Sequence, residues 1–519
     1  MQAYALTLDK FLDHAAKWSG DAQVVTAGTG RIGYAALRAR SNRLSGALAA
    51  LGLRAGDRVA TLAWNTQHHL ETYYAVMGAG LVCHTLNPRL TVAHLAAMAN
   101  EAQDRVLAVG AGLTDLALEL AFHCPGIEAV VYLDGAPAGP RAIAGRRTFA
   151  FETLLAELGA EARWGDFGEE TAAGLCYTSG TTGAPKGVLY THRSNYLHTL
   201  RALQADAFAL TAADSVLVAV PMFHANAWGF PFAAPAAGAK LVLPGRQADG
   251  AHLAKLIRDE GVTVAAGVQT VWQGLLDHLD ATGGDVPTLE RVLIGGSACP
   301  DALIRRMEER LGARVQTSWG MTELSPLGTI APARAKTRAV GAGRPPVGLD
   351  LKLTDAAGAT LPRQRNVTGH LKAKGASVVD RYFEAEADAL DAEGYFDTGD
   401  LASIDDAGNL TISGRSKDLI KSGGEWINPA EIETIVGRLP GVGLVAVIGE
   451  ADPKWGERPV LVVELQQNQT IDDTSLLDAL RGNVADWWIP DRVIQVAHMP
   501  LAATGKIDKN RLRAEYARA

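Results

Sequence analysis

The chain of 519 residues contains few cysteines, no excess of basic residues and no long uninterrupted apolar run. Its four cysteines lie far apart and form no Cys-x-x-Cys pair: Cys83, Cys124, Cys176 and Cys299. This spacing disfavours a structural zinc site or a disulfide framework, and it favours a reducing compartment. The net charge of −8 at pH 7 disfavours a protein that binds nucleic acid.

The sequence also lacks segments that would direct it to a membrane. Residues 1–12 show no basic stretch leading into an apolar core, so no secretory signal is predicted. The most apolar window, residues 225–244, is interrupted by prolines, glycines and Lys240, so no transmembrane segment is predicted. These observations predict a cytoplasmic protein.

The composition is that of an ordinary globular protein, with 48% hydrophobic and 20% charged residues, and the length predicts two or more domains. Between residues 215 and 320, short apolar runs alternate with amphipathic stretches, which indicates parallel sheets covered by helices. Such sheets carry their binding loops at the carboxyl ends of the strands. Strands are predicted at 215–220, 240–243, 262–266, 291–294 and 313–317, and helices at 34–50, 70–76, 251–260, 270–279 and 300–311.

A change of composition follows residue 355, and after Gly414 the chain restarts as a compact α/β pattern. Asn428 predicts the start of a helix, because it can cap the first turn and Pro429 follows it. The other elements predicted there are strands at 445–448, 459–464 and 492–497 and a helix at 474–487. The predicted fold class is α/β, with a large N-terminal domain of helix-covered sheets, residues 1–414, and a small C-terminal α+β domain, residues 415–519.

The most informative stretch is residues 177–187, Tyr-Thr-Ser-Gly-Thr-Thr-Gly-Ala-Pro-Lys-Gly, between two predicted short strands. Its glycines let the backbone approach a ligand, its hydroxyl and N–H groups can bind phosphate oxygens, and Lys186 adds positive charge. The spacing differs from that of a P-loop, because Lys186 is followed by Gly187 and not by Ser or Thr. A flexible surface loop is the alternative, but so long an ordered string favours phosphate binding.

Four further motifs carry groups that a nucleotide site needs. In Trp-Gly-Met-Thr-Glu, residues 319–323, an aromatic ring can stack on a purine and a carboxylate can hold Mg²⁺ beside phosphate oxygens. Asp400 follows Thr-Gly, and one carboxylate can accept hydrogen bonds from both hydroxyls of a ribose. Basic residues occur at 414–426 and at 504–509. Taken singly, each motif would equally be an ordinary turn or a solvated basic surface.

In their order along the chain, these motifs resemble those of the adenylate-forming superfamily, which includes acyl-CoA synthetases, luciferases and the adenylation domains of peptide synthetases. The likeness covers residues 177–509 and extends more weakly toward the N-terminus. The segment Pro-Met-Phe-His-Ala-Asn-Ala-Trp at 221–228, the gate segment, resembles that of medium- and long-chain fatty acyl-CoA synthetases most closely. Three positions depart from the usual pattern: Trp319 stands for Tyr, Gln269 for Pro and His370 for Glu.

The resemblance implies a role for each motif. Lys506 is implied as the catalytic lysine of adenylation, and Lys417 as the hinge about which a mobile small domain rotates. Glu323 would bind Mg²⁺ and belongs, with Thr322 and His224, to the implied catalytic set. The implied nucleotide-binding residues are Thr178, Ser179, Gly180, Thr181, Thr182, Lys186, Ser297, Ala298, Cys299, Trp319, Gly320, Met321, Asp400, Arg415, Lys421 and Trp426. The implied acid-binding residues are His224, Trp228, Val268, Gly295 and Gly296.

The predicted function is that of an ATP-dependent carboxylate–CoA ligase acting through an acyl-adenylate, with ATP, Mg²⁺ and CoA as its ligands. In the resemblance, Trp228 closes the mouth of an acyl tunnel, and Gly295 and Gly296 leave room for the acyl group, which favours a medium- or long-chain fatty acid. Short thioether acids and aromatic acids stay open, because related enzymes with this gate segment accept them. A homodimer is implied by the fatty acyl branch alone.

Two other functions stay open from the sequence. The adenylate could pass to an amine or to a carrier-protein thiol, because activation and acceptor capture use separate surfaces. A nucleotide-binding regulator without catalysis is the alternative of another class. The joint presence of Lys186, Glu323, Asp400 and Lys506 disfavours such a regulator.

Overall fold

The fold is that of a computed structural model, which describes residues 1–28, 30–134, 145–178, 185–297, 299–334, 338–423, 425–466, 469–502 and 506–517. It is a mixed α/β protein with a large N-terminal domain that contains sheets and a smaller C-terminal domain. The predicted fold class is therefore confirmed. The α-helices are α1 (Asp9–Trp18), α2 (Tyr34–Ala50), α3 (Gln67–Gly78), α4 (Val92–Glu101), α5 (Thr114–His123), α6 (Phe151–Leu158), α7 (His192–Ala202), α8 (Phe230–Ala237), α9 (Gly250–Glu260), α10 (Gln269–Thr282), α11 (Asp301–Leu311), α12 (Pro429–Val436), α13 (Asp473–Asp478) and α14 (Lys509–Tyr516).

The strands belong to four sheets among the described residues. In chain order they are β1 (Gln23–Thr26), β2 (Gly30–Gly33), β3 (Arg58–Leu62), β4 (Val82–Thr85), β5 (Asp104–Val109), β6 (Ala129–Tyr132), β7 (Arg147–Ala150), β8 (Ala172–Tyr177), β9 (Gly187–Thr191), β10 (Ser215–Val218), β11 (Lys240–Leu243), β12 (Val264–Val268), β13 (Arg291–Gly295), β14 (Arg314–Gly320), β15 (Leu327–Ile330), β16 (Leu349–Thr354), β17 (Thr368–Gly375), β18 (Phe396–Ile404), β19 (Leu410–Arg415), β20 (Ile420–Ser422), β21 (Glu425–Ile427), β22 (Val442–Asp452), β23 (Gly456–Leu465) and β24 (Arg492–Val496).

The first sheet has the order β15-β14-β13-β12-β10-β11-β1-β2, and its strands from β14 to β1 run parallel. These inner strands are almost continuously buried, as expected where helices cover both faces. The helices and strands predicted between residues 215 and 320 are therefore confirmed in type and order. Because the strands are parallel, their carboxyl ends meet at one edge, and the loops that follow them converge there.

The second sheet has the order β7-β6-β5-β3-β4-β8-β9 and is parallel except for its edge strand β9. Large buried side chains fill the space between helices and the two sheets, among them Tyr73, Tyr74, Phe230 and Phe232. No helix within the described ranges is both long and apolar enough to span a bilayer. A third, antiparallel sheet, β16-β17-β18-β19, follows and leads into the C-terminal domain.

The C-terminal domain is built on the fourth sheet, β21-β20-β23-β22, with β24 parallel to β23. Its first helix, α12, begins as predicted, because the Asn428 side chain accepts a hydrogen bond from the Ala430 N–H at 3.2 Å. The helix predicted at 474–487 is confirmed only over its first part, and its predicted extension beyond residue 478 is wrong. Helix α13 ends at Asp478 with Ala479 as its C-cap, and Gly482, within the range predicted as helical, takes a left-handed φ of 73° that a continuous helix does not contain.

Candidate active site

A cavity of about 870 Å³ lies at the carboxyl ends of β10, β13 and β14, where the loops after these strands meet. Segments at β8, β18 and β19 and the C-terminal loop complete its walls. The cavity thus occupies the edge at which binding loops were expected. The predicted site residues on its walls are Thr178, Lys186, His224, Trp228, Gly296, Trp319, Gly320, Met321, Thr322, Glu323, Arg415, Lys417 and Lys506.

Thr178 and Lys186 close the base of the predicted phosphate loop. The Thr178 N–H donates to the Lys186 carbonyl at 2.9 Å, and the Lys186 N–H donates to Oγ1 of Thr178 at 3.1 Å. These bonds extend the antiparallel pairing of β8 with β9, so the loop leaves and rejoins the cavity wall at one point. Five predicted residues lie outside the described ranges, and their roles stay predictions: Ser179, Gly180, Thr181, Thr182 and Ala298.

Thr322 and Glu323 form a buried turn directly after β14. The Tyr190 hydroxyl donates to the Thr322 carbonyl at 2.8 Å, and the Tyr382 hydroxyl donates to Oε1 of Glu323 at 3.0 Å. Burial raises the pKa of the Glu323 carboxyl, while hydrogen bonding and nearby positive charge oppose this change. The turn therefore presents a single carboxylate whose orientation is fixed by a side chain from a distant part of the sequence.

The Asp400 carboxylate lies just behind the cavity wall, where only 2% of the residue is exposed. The Trp319 indole N–H donates to Oδ2 at 2.8 Å, and Arg415 Nε pairs with Oδ1 at 2.7 Å. Burial raises the pKa of Asp400, and the Arg415 charge is the main opposing influence. Each oxygen thus holds one donor and keeps capacity for another. The Trp that stands for the usual Tyr contributes an N–H that a tyrosine ring does not have.

Lys506 reaches the cavity from a turn of the C-terminal domain. Leu501 pairs with Ile507 across this turn, and the Ala502 N–H donates to the Lys506 carbonyl at 2.7 Å. The side chain stands beside Gly296, where a Cβ would be 3.8 Å from Cε of Lys506. Burial, followed by the neighbouring Arg415 charge, lowers the pKa of the Lys506 ammonium. The two domains therefore share one cavity.

Lys417 lies in a short 3-10 turn, Ser416–Asp418, between β19 and β20. On one side, Ser416 Oγ lies 3.0 Å from Nδ1 of His370 in the third sheet. On the other side, Arg513 of α14 donates to Asp418 at 2.7 Å. The turn is thus anchored to both domains, and burial lowers the pKa of Lys417. Its function as a hinge stays a prediction, as does the domain boundary at 414–415.

Part of the cavity wall is formed by large apolar side chains. Phe208, Leu293, Leu327 and Trp228 line it, and Phe208 is held by parallel stacking on Phe230 at a centroid distance of 4.4 Å. These side chains come from four separate segments, so their packing sets the shape of the pocket. Apolar walls of this kind favour the aliphatic part of an acid.

His224 lines the same cavity as Lys506 and is close enough to feel its charge. Burial, with a smaller contribution from the Lys506 charge, lowers the pKa of His224 to about 4. The imidazole is therefore neutral near pH 7. A neutral ring can donate or accept one hydrogen bond without adding charge to the cavity.

The gate segment has an uncommon backbone. Residues 225–228 all have positive φ, with values of 43, 50, 47 and 57°, which costs roughly 1–2 kcal/mol for each non-glycine residue. The Tyr73 hydroxyl donates to Oδ1 of Asn226 at 3.3 Å and helps to hold the segment. A Cβ on Gly295 would stand 3.2 Å from the Trp228 ring and 2.5 Å from Oγ of Ser318. The room left by Gly295 is therefore taken by Trp228 and Ser318.

Several predicted residues lie away from the described walls of the cavity. Val268 ends β12, Ser297 is exposed, and Cys299 is half-buried against the core of the first sheet. Lys421 and Trp426 lie on the hairpin of β20 and β21, where the lysine Nζ is 5.6 Å from the indole centroid and Trp426 is 53% exposed. The nucleotide contacts expected of these residues stay predictions.

Among the cavity-lining residues that sequence reasoning missed are Phe208 and Tyr382. Neither belongs to a motif, and each reaches the site through contacts with segments far away in the sequence. An isolated aromatic residue in a turn-rich stretch gives no local signal of such a position.

Comparison with known proteins agrees with this geometry. The model of the AMP-binding enzyme family matches residues 11–383, and that of the AMP-binding enzyme C-terminal domain matches residues 431–506. The chain is 42% identical to 3-methylmercaptopropionyl-CoA ligase of Ruegeria lacuscaerulensis, over 99% of this chain and 98% of that protein. It is 41% identical to medium-chain-fatty-acid–CoA ligase of Ectopseudomonas oleovorans, over 99% and 97% of the two chains. The crystal structure of ATP-bound MatB from Rhodopseudomonas palustris has a TM-score of 0.86 at 27% identity and covers 99% of each chain.

The fold, the cavity and the similarity to known enzymes together identify the protein as a ligase of the AMP-forming acid–thiol class. The chain belongs to the AMP-binding enzyme family. The predicted superfamily and enzyme class are thereby confirmed, including the likeness to medium- and long-chain acyl-CoA ligases.

Proposed function

We propose that this enzyme is an ATP- and Mg²⁺-dependent carboxylate–CoA ligase that acts on a medium- or long-chain aliphatic acid through an acyl-adenylate. The observation that carries the proposal is the presence of Lys506, Glu323 and an apolar pocket in one cavity. Relatives named as CoA ligases, with 42% and 41% identity, support it. A cytoplasmic location and a homodimer stay predictions.

The first half-reaction joins the acid to AMP. A carboxylate oxygen attacks the α-phosphorus of ATP, the bond to the β-phosphate breaks, and pyrophosphate leaves. Negative charge builds on the phosphate oxygens, and the Lys506 ammonium stabilises it within the cavity. In this proposal Lys186 and Thr322 bind phosphates, and Asp400 and Arg415 hold the ribose side of the nucleotide.

The residues present suit the Mg²⁺ that such a reaction uses. Mg²⁺ is usually held by one or two carboxylates together with substrate phosphates and water. Glu323 supplies one carboxylate, and the described part of the chain contains no group of three or more His, Cys, Asp or Glu side chains that could hold a metal. Mg²⁺ bound there would neutralise phosphate charge.

The second half-reaction transfers the acyl group to sulfur. The CoA thiolate attacks the acyl carbonyl, the bond to the phosphate oxygen breaks, and AMP leaves. Rotation of the small domain about Lys417 would withdraw Lys506 and admit CoA. An amine or a carrier-protein thiol is the alternative acceptor, because the contacts described for the first step do not select the nucleophile.

A short thioether acid is the second candidate substrate. The observation that favours it is the 42% identity to the Ruegeria enzyme, which is named for 3-methylmercaptopropionyl-CoA. The Trp228 ring that lies against Gly295 narrows the pocket and is compatible with a short chain.

Release of pyrophosphate and AMP with a panel of acids, each with and without CoA, tests the proposal. The panel runs from short to long aliphatic acids and includes thioether and aryl acids. Sustained AMP release that requires both a medium- or long-chain acid and CoA supports the proposal. A preference for short thioether acids selects the second substrate. Pyrophosphate release that CoA does not stimulate would overturn the CoA-ligase function and direct attention to amines and carrier proteins.

A further inference from the structure

Tyr382 contacts two predicted site residues that lie far apart in the sequence, the expected metal ligand Glu323 and the expected phosphate ligand Lys186. Its hydroxyl donates to Oε1 of Glu323 at 3.0 Å, and the Lys186 ammonium lies over its ring, 4.7 Å from the centroid. Tyr382 itself is half-buried and lines the cavity. One side chain therefore touches both the turn that carries the expected metal ligand and the lysine that ends the phosphate loop.

The backbone of residues 379–383 is fixed to the same two motifs. The Val379 N–H donates to the Glu323 carbonyl at 2.8 Å, and the Phe383 N–H donates to the Gly187 carbonyl at 2.8 Å. A Cβ on Gly187 would stand 2.9 Å from that of Phe383, so the two backbones approach as closely as a glycine allows. We call this segment the crosspiece, because it connects the Thr-Glu turn to the end of the phosphate loop.

We propose that Tyr382 is a positioning residue for the metal and phosphate half of the site, orienting the Glu323 carboxylate through its hydroxyl and restraining Lys186 through its ring. Because one oxygen of Glu323 accepts the hydroxyl, the other is left to face a metal ion. The contact with the aromatic ring limits the movement of a long, flexible lysine. This role rests on the proposed function, in which ATP and Mg²⁺ are ligands of the cavity.

Two substitutions separate the two contacts of Tyr382. Tyr382→Phe removes only the hydroxyl and keeps the ring beneath Lys186. Tyr382→Leu removes the hydroxyl and the ring together. The measurement is the calorimetric affinity for ATP, without acid or CoA, once with saturating Mg²⁺ and once with EDTA, so that no turnover is needed.

We expect Tyr382→Phe to weaken ATP binding about tenfold with Mg²⁺ and to leave binding with EDTA unchanged, since only the metal ligand loses its support. Tyr382→Leu should weaken binding under both conditions, because Lys186 is then also free to move. The positioning role would be overturned if Tyr382→Phe bound ATP with Mg²⁺ as tightly as the unsubstituted enzyme does. It would also be overturned if Tyr382→Phe lost the same ATP affinity with EDTA as with Mg²⁺.

Tyr395 provides a matched control outside the cavity. Its hydroxyl donates to Asp350, and Lys352 Nζ lies 4.0 Å from its ring centroid, so the same three kinds of group meet there. Tyr395→Phe should leave both ATP affinities unchanged. A similar loss in this control would overturn the assignment of a special role to Tyr382. If the unsubstituted protein does not bind ATP, both the proposed function and the role of Tyr382 are overturned. If it binds ATP but Tyr382→Phe gives one of the contrary results above, only the role of Tyr382 is overturned.

Discussion

The nucleotide side and the acid side of the cavity are built by different means. On the nucleotide side, hydrogen bonds from neighbouring side chains fix the carboxylates of Asp400 and Glu323. On the acid side, the stacked Phe208 and the left-handed backbone before Trp228 set the shape. Polar chemistry depends on residue type, which a motif records. Pocket shape depends on packing between distant segments, which a motif does not record.

Removal of the Lys506 ammonium should have the largest effect on activity. The loss should be confined to adenylation, the reaction of the nucleotide side. In Lys506→Ala, acid-dependent pyrophosphate release is expected to drop by about 10²–10³, because the transition state loses its stabilising charge. Conversion of a supplied acyl-adenylate to acyl-CoA should be largely retained. Lys509→Ala is the control, since Lys509 pairs with Glu433 outside the cavity walls. Equal losses in both half-reactions would refute this role for Lys506.

Loss of the indole N–H of Trp319 should have the next largest effect on activity. Trp319→Phe keeps an aromatic ring but removes the donor to Asp400, and a hydrogen bond to a charged group is worth roughly 1.5–3 kcal/mol. We expect KM for ATP to rise about tenfold while the ranking of acids stays the same. Trp18→Phe changes an exposed indole that lies outside the cavity walls and belongs to no predicted site, and it serves as the control. A changed acid ranking in Trp319→Phe would contradict the separation of the two sides.

Substitution of Trp228 should have the opposite effect to substitution of Trp319: the ranking of acids should change, and the KM for ATP should not. In Trp228→Ala the ring that lies against Gly295 is lost, so acids of greater length or width should gain relative to short ones, by about tenfold or less. KM for ATP should stay unchanged. The measurement is kcat/KM across a series of aliphatic acids. Unchanged relative rates across the series would mean that Trp228 serves only in packing.

The smallest expected effect is on the alkaline side of the pH profile. Burial and the Arg415 charge lower the pKa of Lys506, so its ammonium is present below that pKa and is lost as pH rises through it. Adenylation should therefore decline at a lower pH than an ordinary lysine would require. The measurement is kcat/KM for pyrophosphate release from about pH 7 to about pH 10. Lys506→Arg, whose guanidinium stays protonated, should lack this decline. The same decline in both proteins would assign it to another group.

Sequence patterns recover much of the fold and of the nucleotide side, because strand ends and their polar loops are local features. The predicted strand at 240–243 coincides with β11, and Thr322 and Glu323 directly follow β14. The patterns fail where distant segments decide the outcome. Tyr382 reaches Glu323 only through the docking of the crosspiece, and the predicted helix at 474–487 overlooks the turn at Gly482.

The left-handed run at residues 225–228 also bears on how this enzyme can diverge. Branched side chains tolerate positive φ poorly, so few replacements leave the gate backbone intact. Phe208 and Leu293 have no positive φ, and a change in their volume alters the pocket without that backbone cost. Over evolutionary time, new acid preferences in this lineage are expected to arise first at these two positions, with the gate changing last.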